Sequence, residues 1–310
     1  MIQLFNIPNY TIDTSQYSHF LHGKNVTEFE NRFAEYVGAK YACAVNSATN
    51  AIFLIFLGKK TVVDVPAMIP PVVLNALITS GNRIRFTDNI GWIGDSYLLH
   101  DFGGYNVIDS AQKVAKNQFD TEARPDDLMF FSFYPTKPVG SCDGGMIVSN
   151  DKDKIDYLRT LSFNGMSYSE NNWDRKIALP GYKFYMNSIQ ADIAERNLSK
   201  LEAKKSKLQL IREYYNDKFE LNNTSDHLYT VTTKLQNTEF IAKAKELDIS
   251  CGIHYPSQAI NPVYTPYVAA ATDCSKSNFT AERIVSIPFH ENLDFADVRK
   301  VVDAVNNMSI

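Results

Sequence analysis

The chain has 310 residues, 45% of them hydrophobic and 21% charged, which is the composition of a globular protein large enough for a main core and a smaller one. Its 31 Lys and Arg against 35 Asp and Glu give a formal charge of -4, without the basic excess that nucleic-acid binding draws on, so no nucleic-acid partner is expected. Four cysteines without CxxC spacing argue against a disulfide framework or a metal centre, and no apolar run approaches the roughly 20 residues of a membrane span, so the expectation is a cytoplasmic protein with no membrane partner.

In chain order, EFENRFAEYVG (28–38) sets Phe29, Phe33, Tyr36 and Val37 at helical spacing and stops at Gly38, a good helix C-terminus. YACAV (41–45) reads as a buried strand, NSAT as a turn and NAIFLIFLG (50–58) as a helix. TVVDVP, RIRFTD, SYLLH, YNVID, DLMFFSF and GGMIVSN follow as short strands, with PVVLNALITSG (71–81) the clearest helix among them. A long charged helical stretch then runs from Ser188 to Leu221 without Gly or Pro. HLYTVTT, SCGIHYP and RIVSIPF read as strands, TEFIAKAKELD and DFADVRKVVDAVNNM as helices. The alternation predicts an α/β large domain over 1–215 and a smaller α+β domain over 216–310.

Three features carry chemistry. The NSATNAI turn joins a strand to a helix N-terminus, where free backbone N–H groups favour an anion, although Ser47 or Thr49 can equally be a plain N-cap. In YNVIDSAQ, Asp109 ends an apolar strand with Gln112 three residues on, a pattern that a simple strand-end cap also satisfies. Lys137, between Thr136 and Pro138, follows a third apolar strand, and alone it reads as a surface lysine. Together, an anion nest, a strand-end carboxylate and a lysine are what pyridoxal phosphate requires: a covalent anchor, a partner for the pyridine nitrogen and a phosphate seat.

Ordered blocks from Gly23 onward resemble the DegT/DnrJ/EryC1/StrS family of fold type I pyridoxal-phosphate enzymes. GKNVTEFENRFAEYVGAKYACAVNSATNAI is similar to its opening block, VIDSAQ to its EDxAQ element and SFYPTKPVGSCDGGMIVSND to its lysine block. LPGYKFYMNSIQADIAERNLSKLE, GIHYP and SIPFHENLDFADVRKVVDAV are similar to the remaining blocks. The resemblance implies a mostly parallel central sheet, a smaller C-terminal α+β domain and a homodimer with sites at the subunit interface. It implies that Lys137 anchors the cofactor, Asp109 pairs with the pyridine nitrogen, and Gln112 meets the hydroxyl side of the ring. Ser132 with the Ala48 and Thr49 backbone would hold the phosphate, and Lys183, at the place of an asparagine, would reach the phosphate of the neighbouring subunit. The implied reaction moves an amino group from L-glutamate to a keto-sugar nucleotide, as in amino-sugar or O-antigen biosynthesis. The family's sugar dehydratase branch replaces the lysine, typically by His, so Lys137 favours transamination.

The chain also departs from that family. Ala48 stands for the usual Gly, which requires negative φ there, Pro70 stands where an aromatic commonly covers the cofactor ring, and Tyr185 stands for an arginine. Only seven residues separate Asp88 from Ser96 and four separate His100 from Tyr105, too few for the crossovers that parallel strands need. Either the sheet has a bare flank or these strands are not all parallel. These losses keep a second reading open, a cofactor-binding or regulatory relative without catalysis.

Overall fold

A computed structural model describes residues 1–17, 19–21, 23–167 and 175–308. In chain order the first half comprises α1 (Lys24–Val37), β1 (Tyr41–Val45), α2 (Ala48–Phe56), β2 (Val62–Pro66), α3 (Pro71–Thr79), β3 (Arg83–Thr87), β4 (Tyr97–Asp101), β5 (Asn106–Asp109), α4 (Gln118–Glu122) and β6 (Leu128–Ser132). The second comprises β7 (Gly145–Ser149), α5 (Lys152–Ser162), α6 (Ser188–Leu198), α7 (Leu201–Phe219), β8 (Tyr229–Thr232), α8 (Asn237–Glu246), α9 (Ser275–Ala281), β9 (Ile284–Ile287) and α10 (Phe295–Asn307).

The central sheet runs β1-β7-β6-β5-β4, and the strands β1, β7, β6 and β5 are largely buried on both faces. Because side chains alternate along a strand, one set (Cys43, Val45, Val107, Leu128, Phe130, Ile147) enters a core with α2, α3 and α5. The other set (Ala42, Ala44, Ile108, Met129, Phe131, Met146, Val148) packs with α1, α4 and α6. In that second core Phe33 meets Phe131 and Phe133 at ring-centroid distances of 4.9 and 5.2 Å. A third core joins Ile2 and the later half of α7 to β8, β9, α8 and α10.

The α/β architecture is as expected, but the central sheet is mixed rather than mostly parallel, because β7 runs against both its neighbours and β4 folds back on β5. Within the sheet β5 and β6 are parallel, while β1–β7, β6–β7 and β4–β5 are antiparallel; β2 and β3 form a separate parallel pair. The short connection explains β4: four residues close an antiparallel hairpin, Tyr97 opposite Asp109, and no covering helix is needed. Of the two alternatives left by the short spacing, the second is the observed one. β2 lies beside this hairpin, where Thr61 Oγ1 and His100 Nε2 are 3.3 Å apart.

Two local expectations differ from the structure. The helical stretch from Ser188 breaks between Leu198 and Leu201; both leucines are buried in the second core, and the Asn197 amide donates to the Gly140 carbonyl at the break. Tertiary contacts override the unbroken helical pattern there. SCGIHYP is no strand: Gly252 makes a single bridge to Ser286, exchanging both backbone hydrogen bonds, before the chain turns away.

Candidate active site

The carboxyl ends of β1, β5 and β6 lie at one edge of the sheet, where ligands gather in open α/β folds. A cavity of about 500 Å³ opens there, a size typical of small-molecule sites. Its wall includes Ala48, Thr49, Asp109, Gln112, Ser132 and Lys137. Thus six of the seven expected residues share one cavity. Lys183 does not join them: it is exposed and pairs with Phe163 in an isolated bridge.

At one end of the cavity is the N-terminus of α2. Ser47 caps it by accepting the Asn50 N–H at 3.2 Å, and the Ala48 and Thr49 amides are in the first turn, where a helix has no internal acceptor for them. Ala48 opens the helix with ordinary backbone geometry, so its methyl group causes no strain. Gly145 explains how β7 approaches this turn: a Cβ there would lie 2.7 Å from the Ala48 nitrogen. Ser132, one residue before Phe133, accepts the Tyr134 N–H at 3.3 Å.

Asp109 on the wall of the same cavity is 4% exposed. Its carboxylate accepts the Ala111 N–H at 2.9 Å and the Tyr97 hydroxyl at 3.1 Å. Burial nevertheless raises its pKa to about 6, the two hydrogen bonds and the attraction of Lys137 offsetting only part of the desolvation. Burial likewise holds the Tyr97 phenol in its neutral, donating form.

Lys137 lines the same cavity. Burial lowers its pKa to about 8, against the pull of Asp109 in the other direction. Its Nζ is 3.4 Å from His227 Nε2. His227 is 6% exposed, its ring stacks on Phe5 at 5.8 Å, and burial first, then Lys137, keeps it neutral. His254, lowered to about 4 by burial and by Lys137, lines the same wall. The set is an amine whose loss of a proton is eased by burial, a buried carboxylate and two neutral imidazoles.

Four wall residues escaped the sequence reading, Trp92, His227, His254 and Tyr255, as did Tyr97, which reaches the site through Asp109. Trp92 belongs to the shortened segment before β4 and stacks on Tyr255 at 5.8 Å with ring planes 7° apart. Its Nε1 is buried without a hydrogen-bond partner. Gln112 ties this segment to the site, accepting the Gly94 N–H through Oε1 at 2.7 Å. The signal for Trp92 was its rarity, one of two tryptophans in the chain, and its place where a covering helix is missing. His227, His254 and Tyr255 sit inside HLYTVTT and GIHYP, which had been read only for secondary structure and resemblance.

The model of the DegT/DnrJ/EryC1/StrS aminotransferase family matches residues 6–88 and 122–306. The chain belongs to that family. The interval between the two matched stretches holds Trp92, the β4–β5 hairpin, Asp109 and Gln112. Among curated relatives of this aminotransferase is a UDP-4-amino-4,6-dideoxy-N-acetyl-beta-L-altrosamine transaminase of Campylobacter jejuni (strain 81-176). It is 27% identical, the match covering 91% of this chain and 89% of that protein. Among solved structures, Helicobacter pylori PseC, an aminotransferase involved in pseudoaminic acid biosynthesis, matches with TM-score 0.76 and 17% identity, covering 99% of both chains. Streptococcus pneumoniae Spr1654, solved in its PLP form, matches with TM-score 0.78 and 18% identity, covering 96% of each. At these identities the two structures establish the fold.

Proposed function

We propose that this aminotransferase uses pyridoxal phosphate to move an amino group from L-glutamate to a keto-sugar carried by a nucleotide. The observation that carries the reading is the convergence of three groups on one cavity: the open N-terminus of α2, Lys137, and the buried carboxylate of Asp109. This donor set fits the cofactor. A dianionic phosphate suits the free amides of the first helical turn and Ser132. A pyridinium suits Asp109, whose raised pKa marks a carboxylate in want of a cationic neighbour. The bound cofactor would supply an aldehyde and an electron-withdrawing ring.

The chain's own residues have distinct tasks in this reading. Lys137 Nζ, its pKa lowered to about 8 so that the neutral amine is far more accessible than in a free lysine, would hold the cofactor covalently and, once released, move a proton on and off the substrate carbon that carries nitrogen. Asp109 keeps the ring nitrogen protonated, and Tyr97 orients Asp109. Gln112 holds the Trp92 segment against the wall. Trp92, stacked on Tyr255, covers the side of the cavity where Pro70 supplies no aromatic ring.

The reading includes a homodimer in which Lys183, exposed and outside its own cavity, meets the phosphate of the neighbouring site. It also includes two domains, 1–215 and 216–310; the third core belongs mainly to the smaller one but takes in Ile2 and α7 from Leu208 on, so that helix bridges the boundary. The reading also takes the enzyme to be cytoplasmic; among the described residues no helix is long and apolar enough to cross a membrane. The test is a coupled assay of L-glutamate with keto-sugars on uridine, thymidine and guanosine diphosphates. Formation of 2-oxoglutarate with one of them is expected, and failure with all three carriers contradicts the substrate class.

A further inference from the structure

A second cavity, of about 450 Å³, adjoins the first at Lys137. Besides Lys137, three lysines line it, Lys200 at the start of α7 and Lys204 and Lys207 within that helix, at a spacing that places them on one face. Lys204 is partly buried: burial lowers its pKa, its Nζ donates to the Pro138 carbonyl at 3.4 Å, and Glu291 is 3.9 Å away. That Glu291 oxygen, Oε2, is buried and has no hydrogen-bond partner. Its other oxygen accepts the Asn6 amide at 3.0 Å, and Tyr10 donates to Asn197 at 2.6 Å, which fixes the polar side of the cavity.

Three ammonium groups against one carboxylate leave two positive charges facing a space of ligand size. A monoanionic amino donor does not call for that excess. We propose that this cavity binds the diphosphate of the nucleotide-sugar substrate through Lys200, Lys204 and Lys207, with the sugar directed toward Lys137. The inference rests on the proposed substrate class and adds where its anionic part is held. Lys204, anchored on Pro138 in the turn that carries Lys137, links diphosphate binding to the position of the reacting amine.

The experiment measures binding of UDP and of inorganic pyrophosphate to the cofactor-loaded enzyme by calorimetry. Both are expected to bind the unchanged enzyme. Each lost lysine–phosphate contact weakens binding by about ten-fold, so Lys204→Met and the pair Lys200→Ala with Lys207→Ala should lower both affinities. Cofactor absorbance, measured on the same samples, should stay unchanged. Lys205→Ala serves as the control, because Lys205 is on the same helix but outside the cavity, 3.8 Å from Asp226. Unchanged affinity in the double variant, an equal loss in Lys205→Ala, or no UDP binding at all would overturn the site. The readout is binding rather than turnover. A lack of amination with every keto-sugar would thus remove the substrate class while leaving the lysine result legible.

Discussion

Lys137 and Asp109 attract each other, yet burial moves each away from its charged form, one down to about 8 and the other up to about 6. For the amine the consequence has a definite sign. Only the neutral amine attacks an aldehyde or an acylating reagent, so its reactivity rises with pH and is half-maximal at the folded pKa. In cofactor-free enzyme, the rate of labelling of Lys137 should therefore reach half its plateau near pH 8, read by peptide mass spectrometry, instead of near the value of about 10.4 for a free lysine. A midpoint above pH 10 would mean that the amine is solvated. For Asp109, removing one partner of a buried ionic pair costs about 3 to 5 kcal/mol, and in this site the loss falls on the reaction. Asp109→Asn is expected to retain cofactor, by absorbance, while turnover falls by about two to four powers of ten. Near-normal turnover would remove Asp109 from the chemistry. These two residues were visible in the sequence because each follows an apolar run that could only be a strand. Their partners Tyr97 and His227 were not, since those contacts span 12 and 90 positions and depend on how β4 and the segment before β8 are brought back to the site.

At the scale of elements, the anion seat depends on β1, α2 and β7 meeting closely. Gly145 allows this, because a Cβ would lie 2.7 Å from the Ala48 nitrogen, a backbone atom that cannot swing aside. Gly145→Ala should cost about 1 to 3 kcal/mol of stability by overpacking, measured by urea denaturation, and weaken cofactor binding because the α2 turn is displaced. Unchanged cofactor affinity would place the phosphate elsewhere. The aromatic cluster behind the same strands makes a cleaner stability test. Phe33 is fully buried against Phe131 and Phe133, and Phe33→Ala should cost about 3 to 5 kcal/mol. The strands and most helices were legible from periodicity and glycine stops. The break after Leu198 was not, because the local sequence carries no Gly or Pro, and the missing strand at SCGIHYP was not, because pairing partners decide a strand and only Gly252 finds one. The β4–β5 hairpin was half legible: connection length excluded a parallel pair without showing what replaced it.

Over the whole molecule, the order of blocks gave the family and the fold, and the cavity gathers residues from positions 47 to 255 in one place. The proposed dimer makes its own prediction at this scale. If Lys183 serves the neighbouring site, Lys137→Ala and Lys183→Ala damage one site from opposite subunits. Mixing the two impaired homodimers should then restore activity through heterodimers with one intact site, and heterodimers seen by native mass spectrometry without restored activity would exclude the shared site. The central claim, that one cavity seats the cofactor with Lys137 as its anchor, has a more direct test. The enzyme is saturated with pyridoxal phosphate, reduced with borohydride, digested and mapped by mass spectrometry. The account predicts a stable cofactor adduct on the peptide containing Lys137 and its loss in Lys137→Ala; an adduct on another lysine, or none at saturation, would contradict it.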